Sequence, residues 1–194
     1  MSRYTPVTTQ QSLSNPMSQN RKFRKPKQFD HNLVVIGAGS GGLVSAYIAA
    51  AVKAKVTLIE KHKMGGDCLN TGCVPSKALI RTAKLLHQIN NSAKYGIKSA
   101  SAEFDFSEVM ERVKQVIADI EPHDSVERYT KLGVDVIEGE AKITSPWTVE
   151  VNGETHTTRN IIIATGARPF VPRLPGLDQV DFLTSDNLWE LSEL

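Results

Sequence analysis

An α/β fold built around a central parallel sheet is predicted by three observations. Continuous apolar runs at Leu33–Ile36 and Lys55–Glu60 have the composition of strands buried on both faces. A glycine turn and an alanine-rich helical stretch, Leu43–Lys53, lie between them. This gives strand, turn, helix and strand within about thirty residues, the pattern of a βαβ unit. After Gly133 the apolar period shortens to that of strands, with a hairpin signal between residues 148 and 158.

The chain has 194 residues, enough for one substantial core. Apolar residues make up 40% and charged residues 23%, so collagen-like, wholly disordered and disulfide-scaffold classes are excluded. The longest apolar-rich stretch, Leu43 to Val52, is too short to cross a bilayer. No secretory h-region opens the chain, and a soluble, cytoplasmic protein without a membrane span is expected. Charge is uneven. Residues 1–30 hold six Lys/Arg and one Asp, whereas the other 164 hold seventeen Lys/Arg and twenty Asp/Glu. The first thirty residues are polar, without helical period, and read as a disordered basic tail. Its run Arg21–Lys27 has the chemistry to touch nucleic acid or an anionic membrane. A solvated linker is the plainer reading, and no nucleic-acid partner is expected. The hydroxyl-rich composition also fits a transit peptide, but no amphipathic stripe supports one.

Ordered structure is expected from residue 31 to the end. Beyond the βαβ unit, a helix follows Pro75, a residue suited to a first helical turn, with Leu79, Ile80, Ala83, Leu85 and Leu86 as its apolar side. A second helical region runs from about Ser107 to Lys131, where Val109, Val113, Val116, Ile117 and Ile120 recur at three- and four-residue steps. Asp105 and Glu108 have the spacing of a capping box, and Pro122 is expected to bend or interrupt the helix. Val134–Ile137 reads as a strand and Ala141–Ile143 as another. Thr148–Val151, Asn152-Gly153 and Glu154–Thr158 form a hairpin whose two turn residues suit the positive φ angles of a type I′ turn. Asn160–Ala164 reads as a further buried strand. The expected architecture is a Rossmann-like domain: a central parallel sheet with helices and a β-hairpin or meander.

Gly37-Ala38-Gly39-Ser40-Gly41-Gly42 matches G-x-G-x-x-G. Gly37 permits the tight turn, Gly39 lets a diphosphate approach the backbone, and Gly42 lets the helix pack against the strand. The unpaired N–H groups of the helix N-terminus then face the phosphates. Glycine turns are common, but this one leaves a strand and opens a helix. Glu60 ends the second strand, eighteen residues beyond Gly42, where a carboxylate accepts hydrogen bonds from both ribose hydroxyls of an adenosine and repels a 2′-phosphate.

Cys68 and Cys73 lie in Gly65-Gly66-Asp67-Cys68-Leu69-Asn70-Thr71-Gly72-Cys73-Val74-Pro75-Ser76-Lys77. The five histidines (31, 62, 87, 123 and 156) do not cluster near the pair, and no metal site is expected. Two structural thiols remain one reading. Continuous helix would hold the two Cα atoms about 8 Å apart, beyond the ~7 Å limit for a disulfide. Asn70 and Gly72 permit a non-helical turn that brings the sulfurs together. A thiolate at Cys73 is favoured by the helix N-terminus and by Lys77 one turn on. That is the chemistry of thiol–disulfide exchange.

These residues together resemble the class I, FAD-dependent pyridine nucleotide–disulfide oxidoreductases, which include dihydrolipoamide dehydrogenase, glutathione reductase and mercuric reductase. The landmarks are Gly37–Gly42, Glu60, Gly65–Lys77, Gly139-Glu140-Ala141 and Ala164-Thr165-Gly166-Ala167-Arg168-Pro169. The Lys63–Cys68 and Ser76–Arg81 wording looks most like the mercuric-reductase-like group, with dihydrolipoamide dehydrogenase as the alternative and a non-catalytic flavin-binding module as a third reading. The resemblance implies FAD held by Gly37, Gly39, Ser40, Gly41, Gly42, Glu60, Lys61, Gly66, Asp67, Gly139, Ala141, Ala164, Thr165 and Gly166, with Cys73 and Lys77 beside the flavin. It implies that Cys73 is the sulfur nearest the flavin, Cys68 the interchange thiol and Lys77 the stabiliser of the reduced ring. Electrons then pass between NAD(P)H, flavin, a Cys68–Cys73 redox disulfide and a small disulfide, dithiol or Hg(II) substrate. The common family form has Thr where this chain has Asp67. No second G-x-G-x-x-G occurs, and family members carry further nicotinamide-binding and dimerisation domains. Residues 31–194 are therefore expected to be the FAD-binding portion of a larger, homodimeric flavoenzyme, incomplete relative to the family and inactive alone.

Overall fold

The computed structural model describes residues 23–193. Residues 1–22 of the expected basic tail lie outside them. Within the described part, Asp30 Oδ2 accepts from the Thr157 N–H at 3.0 Å and from its hydroxyl at 2.7 Å. Lys25 stands over the Trp147 ring and Arg159 over Phe29.

A six-stranded sheet organises the molecule. Its strands are β1 (His31–Ile36), β2 (Val56–Glu60), β3 (Val134–Glu138), β4 (Lys142–Ser145), β5 (Thr148–Val151) and β6 (Glu154–Ile163). The spatial order is β3-β2-β1-β6-β5-β4. The first four of that order run parallel, and β5 pairs antiparallel with both β6 and β4. Helix α1 (Ser40–Ala51) makes the β1-to-β2 crossover. The return to β3 passes through α2 (Gly66–Asn70), α3 (Cys73–Asn90), α4 (Phe106–Ile120) and α5 (Val126–Lys131).

Alternation along β1 divides the core. Leu33 and Val35 face α1 and α5, meeting Ala46, Leu58, Val134 and Tyr129. Val34 and Ile36 face the other way, where Ile59, Val149 and Val151 cover them. Burying Val34, Val35 and Leu58 completely removes side chains worth about 1.5–3 kcal/mol each from water. The parallel sheet with helices and a β-meander is the expected Rossmann-like architecture.

Several boundaries differ from the sequence reading. Helix α1 starts at Ser40 rather than Leu43, because the end of the glycine turn is itself helical; it ends at Ala51, and Lys53 takes a left-handed φ of 66°. Asp105 caps α4 by accepting from the Ser107 N–H at 2.7 Å, without a return bond from Glu108 among the described residues. Pro122 interrupts as expected: a 3₁₀ turn, Glu121–Asp124, separates α4 from α5, and Ser125 caps the new start. Strand β4 is displaced to Lys142–Ser145. Asn152 and Gly153 have the expected positive φ values, 52° and 82°.

The main correction concerns the last strand. The expected strands Glu154–Thr158 and Asn160–Ala164 are one continuous strand, β6. Its first half pairs antiparallel with β5 and its second half parallel with β1. A single strand satisfies two partners because each uses a different length of its backbone. The second half is not buried throughout: Ile163 is 66% exposed.

His31 opens a polar cluster at the opposite end of the sheet from the C-terminal strand ends. Its Nδ1 lies 2.9 Å from Thr57 Oγ1 and its Nε2 lies 3.4 Å from His156 Nδ1. Burial lowers the His31 pKa, and the charges of Lys55 and His156 push it the same way. The folded value is below the unfolded one, so the stabilisation is complete above about pH 6.5 and is lost as pH falls through the folded value. Urea midpoints of the parent protein are expected to fall below pH 6.5, and this part of the fall should vanish in His31→Asn. Parallel profiles for the two proteins between pH 5 and 8 refute the assignment. Among the described residues no helix is long and apolar enough to cross a membrane.

Candidate functional site

A cleft of about 700 Å³ opens at the C-terminal ends of β1, β2 and β6. Open α/β sheets bind ligands at this edge. Gly37, Gly39, Ser40 and Gly41 form its floor; Glu60, Lys61, Gly139 and Ala141 one wall; Ala164, Thr165 and Gly166 another; and Gly66, Asp67 and Cys68 a third.

The glycine turn is shaped by contacts that leave no room for side chains. Gly37 has φ 101°, and a Cβ there would overlap the Ala164 carbonyl. A Cβ on Gly42 would overlap the Gly37 carbonyl oxygen. Gly42 does not line the cleft; it lets α1 close onto β1, the packing role expected of the third glycine. No side chain caps α1 at Gly39, so its first N–H groups are left for a ligand.

Glu60 is held by the turn it faces. Ala38 N–H donates to Oε2 at 2.6 Å and His62 N–H donates to Oε1 at 2.8 Å. An ionised carboxylate has about four acceptor sites, so two remain for a ligand's hydroxyls. Lys61 pairs with Glu140 at 3.3 Å, both side chains being largely exposed, a contact worth under about 1 kcal/mol.

The cysteine segment is two helices broken at one joint. Helix α2 ends at Asn70 and α3 begins at Cys73. Gly72 makes the joint possible, since a Cβ there would lie 2.8 Å from the Asp67 carbonyl oxygen. Asn70 Nδ2 donates to the carbonyls of Met64 and Gly66 at 3.0 and 2.9 Å, and Trp189 Nε1 donates to the Thr71 carbonyl at 2.8 Å. The turn brings the cysteines together as two free thiols rather than a formed disulfide. A hydrogen bond to the Cys73 side chain raises the Cys68 pKa, burial and charge on Cys73 add to it, and the Cys73 N–H and Lys77 pull the other way. Cys68 faces the cleft, whereas Cys73 and Lys77 are exposed on α3 and outside its lining. Among the described residues no three His, Cys, Asp or Glu side chains are grouped to hold a metal ion.

The contact with Cys73 and burial raise the Cys68 pKa, and Cys73 is the more exposed thiol, at the start of α3. At limiting iodoacetamide, Cys73 is expected to alkylate at least about threefold faster than Cys68, because the thiolate is the nucleophile. Peptide mapping checks this, and preferential labelling of Cys68 contradicts it.

Residues that sequence reasoning missed also line the cleft: His62, Lys63, Thr71 and Asp186. Lys63 was visible beside the redox segment. Asp186 carried no signal, because it lies far along the chain in an irregular segment.

The family model described as pyridine nucleotide-disulphide oxidoreductase matches residues 31–194. The mercuric reductase of Bacillus cereus is 36% identical over 166 residues, 86% of this chain and 26% of that protein. The dihydrolipoyl dehydrogenase of Acholeplasma laidlawii is 38% identical over 151 residues, 77% of this chain and 45% of that protein. Among solved structures, the Cu(II) complex of the HOCl-induced flavoprotein disulfide reductase RclA from Escherichia coli superposes with a TM-score of 0.68 at 27% identity, covering 84% of this chain and 34% of that one. The chain thus spans less than half the length of these relatives.

Proposed function

Because the chain belongs to the pyridine nucleotide-disulphide oxidoreductase family, we propose that its cleft holds FAD and that Cys68 and Cys73 are the dithiol through which electrons reach or leave a small substrate. Enzymes of the family use FAD and NAD(P)H. The observation that carries the proposal is that one cleft joins a glycine cradle at an uncapped helix N-terminus to the Cys68 thiol.

The residues present fit FAD. A diphosphate needs main-chain N–H groups and no intruding side chain, which is what Gly37–Gly41 and the start of α1 provide. Glu60, oriented by the Ala38 and His62 N–H groups, accepts from the ribose hydroxyls and disfavours a 2′-phosphate. Lys61, Gly139 and Ala141 flank that end, and Ala164–Gly166 with Gly66–Cys68 line the other. FAD, when bound, supplies the two-electron chemistry.

The chain's own part is the dithiol. Joining the two sulfurs releases two electrons and two protons and forms one S–S bond; reduction reverses this. Gly72 and the Trp189–Thr71 contact hold the joint that keeps the sulfurs adjacent. Lys77, one helical turn beyond Cys73, offsets negative charge on the pair. Reduction of Hg(II) is the favoured substrate reading, on the Lys63–Arg81 wording; dihydrolipoamide oxidation is the second, supported by the 38% identity to a dihydrolipoyl dehydrogenase. NAD(P)H supply and homodimer formation, in a cytoplasmic flavoenzyme, belong to the same proposal.

FAD binding tests it directly. Titration of the protein should quench FAD fluorescence to one equivalent, and ADP should compete. No saturable FAD binding, or binding that ADP leaves untouched, rejects the cleft as the site.

A further inference from the structure

One charged side chain in the cleft is at odds with an anionic ligand. Asp67 is exposed, lines the cleft and sits in the first turn of α2. Its neighbour Gly66 lies directly against Gly39, the middle glycine of the cradle: a Cβ on Gly66 would come within 2.6 Å of the Gly39 Cα. On its other side, Asp67 Oδ2 lies 3.9 Å from where a Cβ on Gly166 would stand, so the carboxylate lies between the cradle and the Ala164–Gly166 wall.

Two of the other cleft carboxylates differ from it, whereas Asp186, which also lines the cleft, likewise has no side-chain partner among the described residues. Glu60 is bonded to two main-chain N–H groups and Glu140 is paired with Lys61. Among the described residues no donor engages the Asp67 carboxylate. The helix it begins has only five residues, and Asp67 has no structural partner to account for its charge.

We infer that Asp67 sets the affinity of this cradle for a dinucleotide: its unpaired carboxylate opposes the diphosphate, so the cofactor is held more loosely than the glycine geometry alone dictates. This rests on the reading of the cleft as a dinucleotide site. The opposition is electrostatic and solvent-exposed, so dissolved salt weakens it. Exchange of bound FAD with solution is its functional consequence, since weaker binding within one site appears mainly as faster release.

Asp67→Asn removes the charge and keeps the shape. FAD and ADP are titrated against the parent protein and this variant at about 20 mM and about 1 M salt. At low salt the variant should bind both ligands about fivefold more tightly, the size expected for one like charge at close range in a water-like dielectric. At high salt the difference should shrink below about twofold. A circular-dichroism melt of each protein reports whether the fold is unchanged. Equal affinities at low salt, weaker binding by the variant, or a difference that persists at high salt overturns the role of Asp67 while leaving the cradle in place. Absence of FAD and ADP binding in both proteins overturns this inference and the proposed function together.

Discussion

Gly42→Ala is expected to destabilise the protein by about 3 kcal/mol, the upper end of ordinary overpacking, and to abolish FAD and ADP binding. Cβ at position 42 would overlap the carbonyl oxygen of Gly37, which is main chain and cannot rotate away. Val35 adds a side-chain contact at 3.4 Å. Relief requires α1 to move off β1. That movement opens the core formed by Leu33, Val35, Ala46 and Leu58, and carries the α1 N-terminus away from the turn that it completes. Stability and binding therefore fall together. Gly41→Ala is the control, since a Cβ there meets only the Ala164 Cβ, at 3.9 Å, an ordinary contact. Urea denaturation of the three proteins checks this. A Gly42→Ala protein within about 1 kcal/mol of the parent contradicts the packing argument.

The same geometry explains why this part of the site was legible in the sequence. Gly37, Gly39 and Gly42 act through local backbone conformation and through contact with strands beside them, and both requirements leave a fixed spacing. The hairpin at Asn152-Gly153 and the break at Pro122 are local in the same sense. Glu60 was legible as a strand-end carboxylate, but its bond to the Ala38 N–H joins residues 22 apart across the turn and has no local mark. The Trp189 bond to Thr71 spans 118 residues and was invisible. Strand β6 was misread for a different reason. Glu154–Thr158 and Asn160–Ala164 were each legible as strands, but the polar residues around Arg159 look like a break between them in isolation, whereas pairing with both β5 and β1 keeps the whole length extended. Cys73 and Lys77 were placed correctly at the start of α3, but their absence from the cleft wall is a matter of helix orientation, which spacing does not encode.

On the proposed dithiol relay, Cys73→Ser is expected to eliminate the dithiol-to-disulfide conversion and, in the larger flavoenzyme of which this chain is proposed to be the FAD-binding portion, to lower disulfide- or Hg(II)-linked turnover at least about a thousandfold, removal of a covalently acting side chain costing up to ~10⁶ in the protease subtilisin. In the parent protein, mild oxidation should consume both thiols within one chain and reduce its mass by two hydrogens. The adjacency of the sulfurs makes this intramolecular reaction favourable over pairing between chains. In the variant, Cys68 remains a single thiol. The first cause of its raised pKa, the hydrogen bond to the Cys73 sulfur, is changed at the same time, so its alkylation rate should rise. FAD binding should persist, because Cys73 is outside the cleft lining and the hydroxyl of serine is smaller than the thiol. Loss of turnover with flavin retained separates a failed electron relay from a failed cofactor site. Turnover within tenfold of the parent, or a two-hydrogen mass loss that survives in Cys73→Ser, rules out Cys73 as half of the redox pair.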